Sequence, residues 1–229
     1  MKNWAEQTVG RRDLFKYAAA LGPGLLLPFA DYRTIHGKEI PYVITGHGIN
    51  GSSTSGIIGS LNGFLRQNDI PFAGLDLPGG MNPDREVWKD QIHQAIIRSP
   101  KPPKLLLYSL SGLPGLEAAS LPDSQLDSLA TLSIRKIKPS LPIDFPWHLA
   151  DFYLNSNVRV DIPQLIENTP NGRLVTHSED DGVVWFQGNA PELVDQIKAD
   201  RFFVNGMGHF DQPLSKGIFE QIARKIVGI

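Results

Sequence analysis

Short apolar runs and amphipathic stretches alternate along most of the chain from residue 40. Ile40–Thr45 (IPYVIT) is a β-rich run that ends in a glycine-rich loop, GHGINGSS. Runs of this kind, bounded by turn residues, suit strands buried on both faces of a parallel sheet. Residues 54–67 follow with Ile57, Ile58, Leu61, Phe64 and Leu65 at helical spacing. Ile70–Leu75 predicts a second strand, and Asp84–Arg98 an amphipathic helix closed off by Pro100, Pro102 and Pro103. Lys104–Ser109 (KLLLYS) predicts a third strand, with a helix over Leu113–Ser120. A weaker strand is predicted over 130–137. Residues 139–170 are proline-rich and irregular, and carry Phe145, Trp147, His148, Phe152 and Tyr153, so they read as a short cap or insertion. Beyond them come a strand at Arg173–His177, a helix at Ala190–Lys198, a strand at Arg201–Asn205 and a closing helix at Lys216–Val227. This alternation predicts an α/β fold with a mostly parallel sheet of about six strands flanked by helices.

The first thirty residues break the pattern. Arg11 and Arg12 precede an uncharged run from Tyr17 to Ala30. That run is short of the roughly 20 apolar residues a membrane-spanning helix needs, and Gly22, Pro23, Gly24 and Pro28 weaken any helix there. A basic pair followed by a short apolar stretch is the layout of a bacterial export signal. GRRDLFK resembles the twin-arginine translocation motif, with Gly10 where Ser or Thr is usual and the aromatic, Phe15, one position late. The resemblance implies a signal peptide over 1–30, the twin-arginine translocase as a partner during export, and a periplasmic or secreted domain over 31–229.

Composition narrows the chemistry. The 229 residues are 41% hydrophobic and 20% charged, enough for one sizeable core. A net charge of −2 gives no electrostatic reason to bind nucleic acid. The absence of cysteine excludes disulfides, thiol nucleophiles and thiolate-ligated metals. The glycines of GHGING lack the Gly-Lys-Ser/Thr ending of a phosphate loop and the spacing of a dinucleotide site. No two histidines stand at i, i+4 on a predicted helix, so neither a metal nor a cofactor is expected.

In such sheets ligands bind at the carboxyl ends of the strands. His47–Ser53 follows the first predicted strand, Ser109-Leu110-Ser111-Gly112 the third, Ser178–Gly182 the fifth and Gly206–Phe210 the last. A hydroxyl, carboxylates and a histidine therefore emerge in the order Ser, Asp, His. Serine is a weak nucleophile until a neighbouring base takes its proton. Histidine can do so near neutral pH, provided a carboxylate fixes its tautomer and backbone N–H groups receive the developing oxyanion.

YSLSGLPGLEAA resembles the nucleophile elbow and following helix of an α/β-hydrolase, HSEDDGVVW its acid loop and VNGMGHFD its histidine loop. The chain most resembles the compact serine hydrolases of the retinoblastoma-binding protein nine and YdeN type. GLDLPGGMNPDREVWKDQI and DIPQLIENTPNGRLVTHSEDD are similar to further stretches of that family, and the likeness covers roughly 40–227. It implies a single α/β-hydrolase domain with Ser109 as nucleophile, Asp181 as acid and His209 as base. Leu110 and the loop of His47, Gly48 and Ile49 would supply the oxyanion hole. Asp180 and Glu179 are the fallback acids. Phe145, Trp147 and Phe152 are candidate walls of an apolar acyl pocket.

One position departs from the pattern. The elbow usually carries small residues two before and two after the nucleophile. Here these are Leu107 and Ser111, and Leu107 is large. Either the turn is rearranged, or Ser111 is the reactive hydroxyl, or catalysis is lost. The expected function is hydrolysis of a small ester, thioester or similar acyl substrate. A non-catalytic binding protein and an acyltransferase or cofactor-free haloperoxidase on the same triad are its rivals. His36, His93 and His148 read as structural or exposed, and His177 as a neighbour of the acid.

Overall fold

The computed structural model of the protein describes residues 34–35, 38–137, 149, 152–153, 159–210 and 216–228. The proposed signal at 1–30, with His36, Phe145, Trp147 and His148, lies outside these residues. Six strands form one sheet: β1 (Val43–Gly46), β2 (Phe72–Leu75), β3 (Lys104–Tyr108), β4 (Ser128–Leu132), β5 (Arg173–Ser178) and β6 (Asp200–Val204). Every neighbouring pair is parallel, and the order across the sheet is β2-β1-β3-β4-β5-β6. The flanking helices are α1 (Gly56–Gln67), α2 (Arg85–Ile97), α3 (Gly112–Ala119), α4 (Ile162–Glu167), α5 (Phe186–Ile197) and α6 (Lys216–Val227). Among the described residues no helix is long and apolar enough to cross a membrane.

The strand β3 shows why the sheet is covered on both sides. Successive side chains of a strand point to opposite faces. Leu105 and Leu107 enter the core shared with α2, α3 and α5, whereas Leu106 enters the core shared with α1 and α6. Fully burying a leucine contributes roughly 1.5–3 kcal/mol, so three in a row hold β3 in the interior of the sheet. The helix α2 is set by its own ends. Asp84 caps it by accepting the Glu86 and Val87 amides at 2.9 and 3.1 Å, and Trp88 is fully buried one turn in.

The chain runs from β1 outward to β2, then returns to place β3 on the other side of β1. Ligand crevices open at such a switch point, outside the carboxyl ends of the strands. The register puts Gly46 of β1 beside Leu107 of β3, so the loops leaving both strands start side by side at that crevice.

Three elements differ from their sequence expectation. The strand β4 covers Ser128–Leu132 rather than 130–137, because Ser133 turns to a left-handed φ of 48° and ends it. The helix α5 starts at Phe186 rather than Ala190. Pro191 reads as a first-turn residue in sequence, but the helix accommodates it in its interior. The stretch 139–170 contains α4, which Asp161 caps by accepting the Gln164 amide at 3.1 Å.

Candidate active site

Ser109 directly follows β3 and opens the short 3₁₀ turn Ser109–Ser111 that leads into α3. Its φ is +54°, in the left-handed region that non-glycine residues rarely adopt. Such a conformation costs about 1–3 kcal/mol and is retained where its surroundings impose it. Here the imposing contacts come from Ser111. Its hydroxyl accepts the Tyr108 amide at 3.1 Å and donates to the Tyr108 carbonyl at 3.0 Å, which ties the turn shut. Ser111 is fully buried in this role, whereas Ser109 faces the crevice. Of the two serines, it is Ser109 whose hydroxyl lies within hydrogen-bond distance of His209, at 2.8 Å.

Leu107 is accommodated by glycine elsewhere. Its side chain is wholly buried against Gly115 of α3, where an added Cβ would lie 2.3 Å from Leu107 Cδ2. Gly46 of β1 plays the matching part for Ser111, since a Cβ there would lie 2.9 Å from the Ser111 hydroxyl. The small residues the elbow requires are thus supplied by the following helix and the neighbouring strand. A Gly115→Ala substitution is expected to cost about 1–3 kcal/mol by overpacking, measured as a drop in the denaturation midpoint. The loss should shrink in a Leu107→Ala background, because the two side chains compete for one space.

His209 follows β6 in the loop Gly206–Phe210, and Asp181 follows β5. The structure brings the three predicted groups together. The Ser109 hydroxyl lies 2.8 Å from His209 Nε2, and Asp181 lies 2.9 Å (Oδ2) and 3.2 Å (Oδ1) from His209 Nδ1. Asp181 Oδ1 also accepts the Val183 and Val184 amides at 2.9 and 2.8 Å. Burial alone would push the Asp181 carboxyl up. The hydrogen bond and charge of His209, with the Val184 amide, outweigh it and hold the carboxyl below its ordinary value. The group is therefore ionised at neutral pH.

His177 is fully buried on the far side of this carboxylate. Its Nε2 lies 2.7 Å from the Val184 carbonyl and 3.4 Å from Asp181 Oδ2. Burial lowers its pKa, so the ring is neutral with its proton on Nε2 to serve the Val184 carbonyl. Tyr108 braces His209 from the other direction. Its hydroxyl donates to the His209 carbonyl at 2.7 Å, and the two ring centroids are 5.3 Å apart. Nothing in the sequence pattern singles out Tyr108 for this, since its only mark is its place before Ser109.

The loop after β1 approaches closely. A Cβ on Gly48 would lie 3.0 Å from Ser109 Cβ and 3.3 Å from Tyr108 Cε1, so glycine is needed for the backbone to come this near. The loop is pinned where Asn50 donates its amide to the Gly80 carbonyl at 3.2 Å. The His47 ring is committed to other groups. Its Nε2 accepts the Leu77 amide at 2.8 Å, its Nδ1 lies 2.6 Å from the Gly48 carbonyl, and its ring packs edge-on against Trp88. Burial first of all lowers the His47 pKa, consistent with a neutral ring that accepts on one side and donates on the other. Its side chain is thus a post for the loop, and only the backbone of 47–49 can address an oxyanion. Leu110 is buried just after Ser109.

Among the described residues, the other candidates have partners of their own. Phe152 is buried in the core against Trp88 and Tyr153, at centroid distances of 5.7 and 5.5 Å. His93 pairs with Asp123 at 2.8 Å. Glu179 is exposed and makes a backbone bond to Val204. Asp180 points to the backbone of the histidine loop rather than to its imidazole.

Comparison with solved structures places this arrangement on a known fold. The ydeN gene product of B. subtilis superposes with a TM-score of 0.64 at 23% identity, over 82% of this chain and 100% of that one. The fold is that of the α/β hydrolases. Est1E from Butyrivibrio proteoclasticus, solved with ferulic acid, gives a TM-score of 0.62 at 17% identity over 82% of this chain and 87% of that one. The monoacylglycerol lipase of Paleococcus ferrophilus gives 0.55 at 15%, over 82% and 94%. No protein-family model and no curated protein matches the sequence.

Proposed function

We propose that this α/β-hydrolase-fold protein is a serine hydrolase that cleaves an ester, thioester or similar small acyl substrate through an acyl-enzyme. The observation that carries the reading is the unbroken relay from the Ser109 hydroxyl through both nitrogens of His209 to an ionised Asp181. In the first step Ser109 Oγ attacks the carbonyl carbon while His209 Nε2 takes the hydroxyl proton. The carbonyl electron pair moves to oxygen, where the Leu110 amide and an amide of the 48–49 loop would receive it. The tetrahedral intermediate collapses, and the leaving group departs with the proton from His209. Water then repeats the sequence on the ester of Ser109, His209 again taking and returning the proton, and the acid is released.

A fluorophosphonate probe tests the assignment on the intact protein. The expected result is a single adduct that peptide mass spectrometry maps to Ser109. A folded, unlabelled protein would overturn the hydrolase reading in favour of a binding protein. Export by the twin-arginine route belongs to the same proposal and rests on Arg11, Arg12 and the uncharged run to Ala30. An Arg11→Lys/Arg12→Lys chain is expected to stay in the cytoplasm on cell fractionation, and its continued transport by that route would refute the export reading.

A further inference from the structure

Asp180 is adjacent to the triad acid yet has a different set of partners. Its Oδ1 accepts the amides of Gly206, Met207 and Gly208 at 3.0, 3.2 and 3.3 Å, and its Oδ2 lies 3.3 Å from the Gly208 amide. The Ser178 hydroxyl also donates to Oδ1, and itself accepts the Met207 amide at 3.1 Å. Three successive amides converge on one carboxylate because the loop alternates in handedness, with φ of +77° at Gly206 and +52° at Gly208. A concavity of consecutive N–H groups of this kind is an anion site, and in this chain the anion is a side chain. The residue that follows the concavity is His209.

We propose that Asp180 is the positioning residue for His209: its carboxylate organises the 206–208 backbone so that the imidazole reaches Ser109 and Asp181 together. This rests on the hydrolase reading above. His209 is then held on both sides of its peptide. Asp180 fixes the amides leading into it, and the Tyr108 hydroxyl fixes its carbonyl at 2.7 Å. The two neighbouring acids divide the work, since Asp181 orients the imidazole ring and Asp180 orients the backbone that carries it. Charge-assisted bonds are roughly twice as strong as neutral ones, which suits a carboxylate to gathering amides that water would otherwise solvate singly. The hydrogen bonds from Ser178 and the loop amides hold the Asp180 carboxyl below its ordinary value, so the anion persists at neutral pH.

The test compares Asp180→Ala, Asp180→Asn and Glu179→Ala in the full chain, by steady-state hydrolysis of p-nitrophenyl acetate and by hydrogen exchange of a peptide spanning 205–210. Asp180→Ala is expected to lower kcat by about a hundredfold, the scale of an ångström-sized misplacement, with KM nearly unchanged. Exchange at 205–210 should accelerate in the same variant. Asp180→Asn keeps a carbonyl acceptor for the amides, so it should regain most of kcat and of the protection. Glu179→Ala removes the same charge one residue earlier and should leave both unchanged. Wild-type kcat in Asp180→Ala would overturn the proposal. So would equal losses in the Ala and Asn variants with unchanged exchange, because that pattern is a charge effect on the imidazole. If the wild type itself hydrolyses nothing and takes no probe, the hydrolase reading fails. The exchange data still decide the loop, and unchanged exchange in Asp180→Ala then overturns the positioning role.

Discussion

Replacement of Ser109 by alanine is expected to abolish fluorophosphonate labelling and to lower acyl turnover by roughly a millionfold, the loss seen when a triad nucleophile is removed. Ser111, the neighbouring hydroxyl, cannot take over. Ser111 is two residues away but buried, and its hydroxyl proton is donated to the Tyr108 carbonyl while its oxygen accepts the Tyr108 amide. The paired variant makes the distinction measurable. Ser111→Ala should retain the adduct on Ser109 while losing about 1–3 kcal/mol of stability, because it removes two hydrogen bonds, one from the Tyr108 amide and one to the Tyr108 carbonyl. Ser109→Ala should leave the denaturation midpoint nearly unmoved, since the Ser109 hydroxyl faces His209 rather than the core. A pre-steady-state burst of p-nitrophenol, present in Ser111→Ala and absent in Ser109→Ala, is the direct check. Labelling that survives in Ser109→Ala and disappears in Ser111→Ala would reverse the assignment.

The same pair of serines shows how far sequence reasoning reaches. The apolar runs at Val43–Gly46, Lys104–Tyr108 and Arg173–Ser178 announce the strands because both faces of the sheet are covered and the runs are uninterrupted. Once the strands are placed, their ends deliver Ser109, Asp181 and His209 to one edge. What remains hidden depends on contacts between residues distant in sequence or on backbone handedness. Leu107 looks incompatible with an elbow until Gly115, eight residues later, is seen to vacate the space it fills. The family resemblance ranks Asp181 ahead of Asp180 as the acid but says nothing of what Asp180 contacts. That difference in partners appears when β6 brings the Gly206–Gly208 amides to Asp180 and the His209 ring to Asp181. Ser133 ends β4 through a left-handed φ that its residue type does not announce. His47 looks like part of the oxyanion loop by position, whereas its ring is committed to Leu77 and Trp88.

Asp181→Asn is expected to lower kcat by about 10⁴-fold, and the geometry of the acid loop dictates why. The Val183 and Val184 amides both point at Oδ1, so an asparagine must keep its carbonyl oxygen there to accept them. Its NH₂ group then occupies the Oδ2 position, 2.9 Å from His209 Nδ1. A donor at that place forces Nδ1 to accept, and the ring proton moves to Nε2. Nε2 faces the Ser109 hydroxyl at 2.8 Å, so the base now presents a proton where it should present a lone pair. The fold should be little disturbed, because size and loop bonds are conserved. The loss therefore appears in kcat with a near-normal denaturation midpoint, and ¹⁵N chemical shifts of His209 should report the exchanged tautomer. Asp180→Asn, an identical chemical change one residue away, should leave that tautomer alone, because the carboxylate it alters faces backbone amides. If Asp181→Asn retained turnover within about tenfold of the wild type, the imidazole would not depend on Asp181 for its tautomer. The acid would then have to be sought elsewhere in the loop.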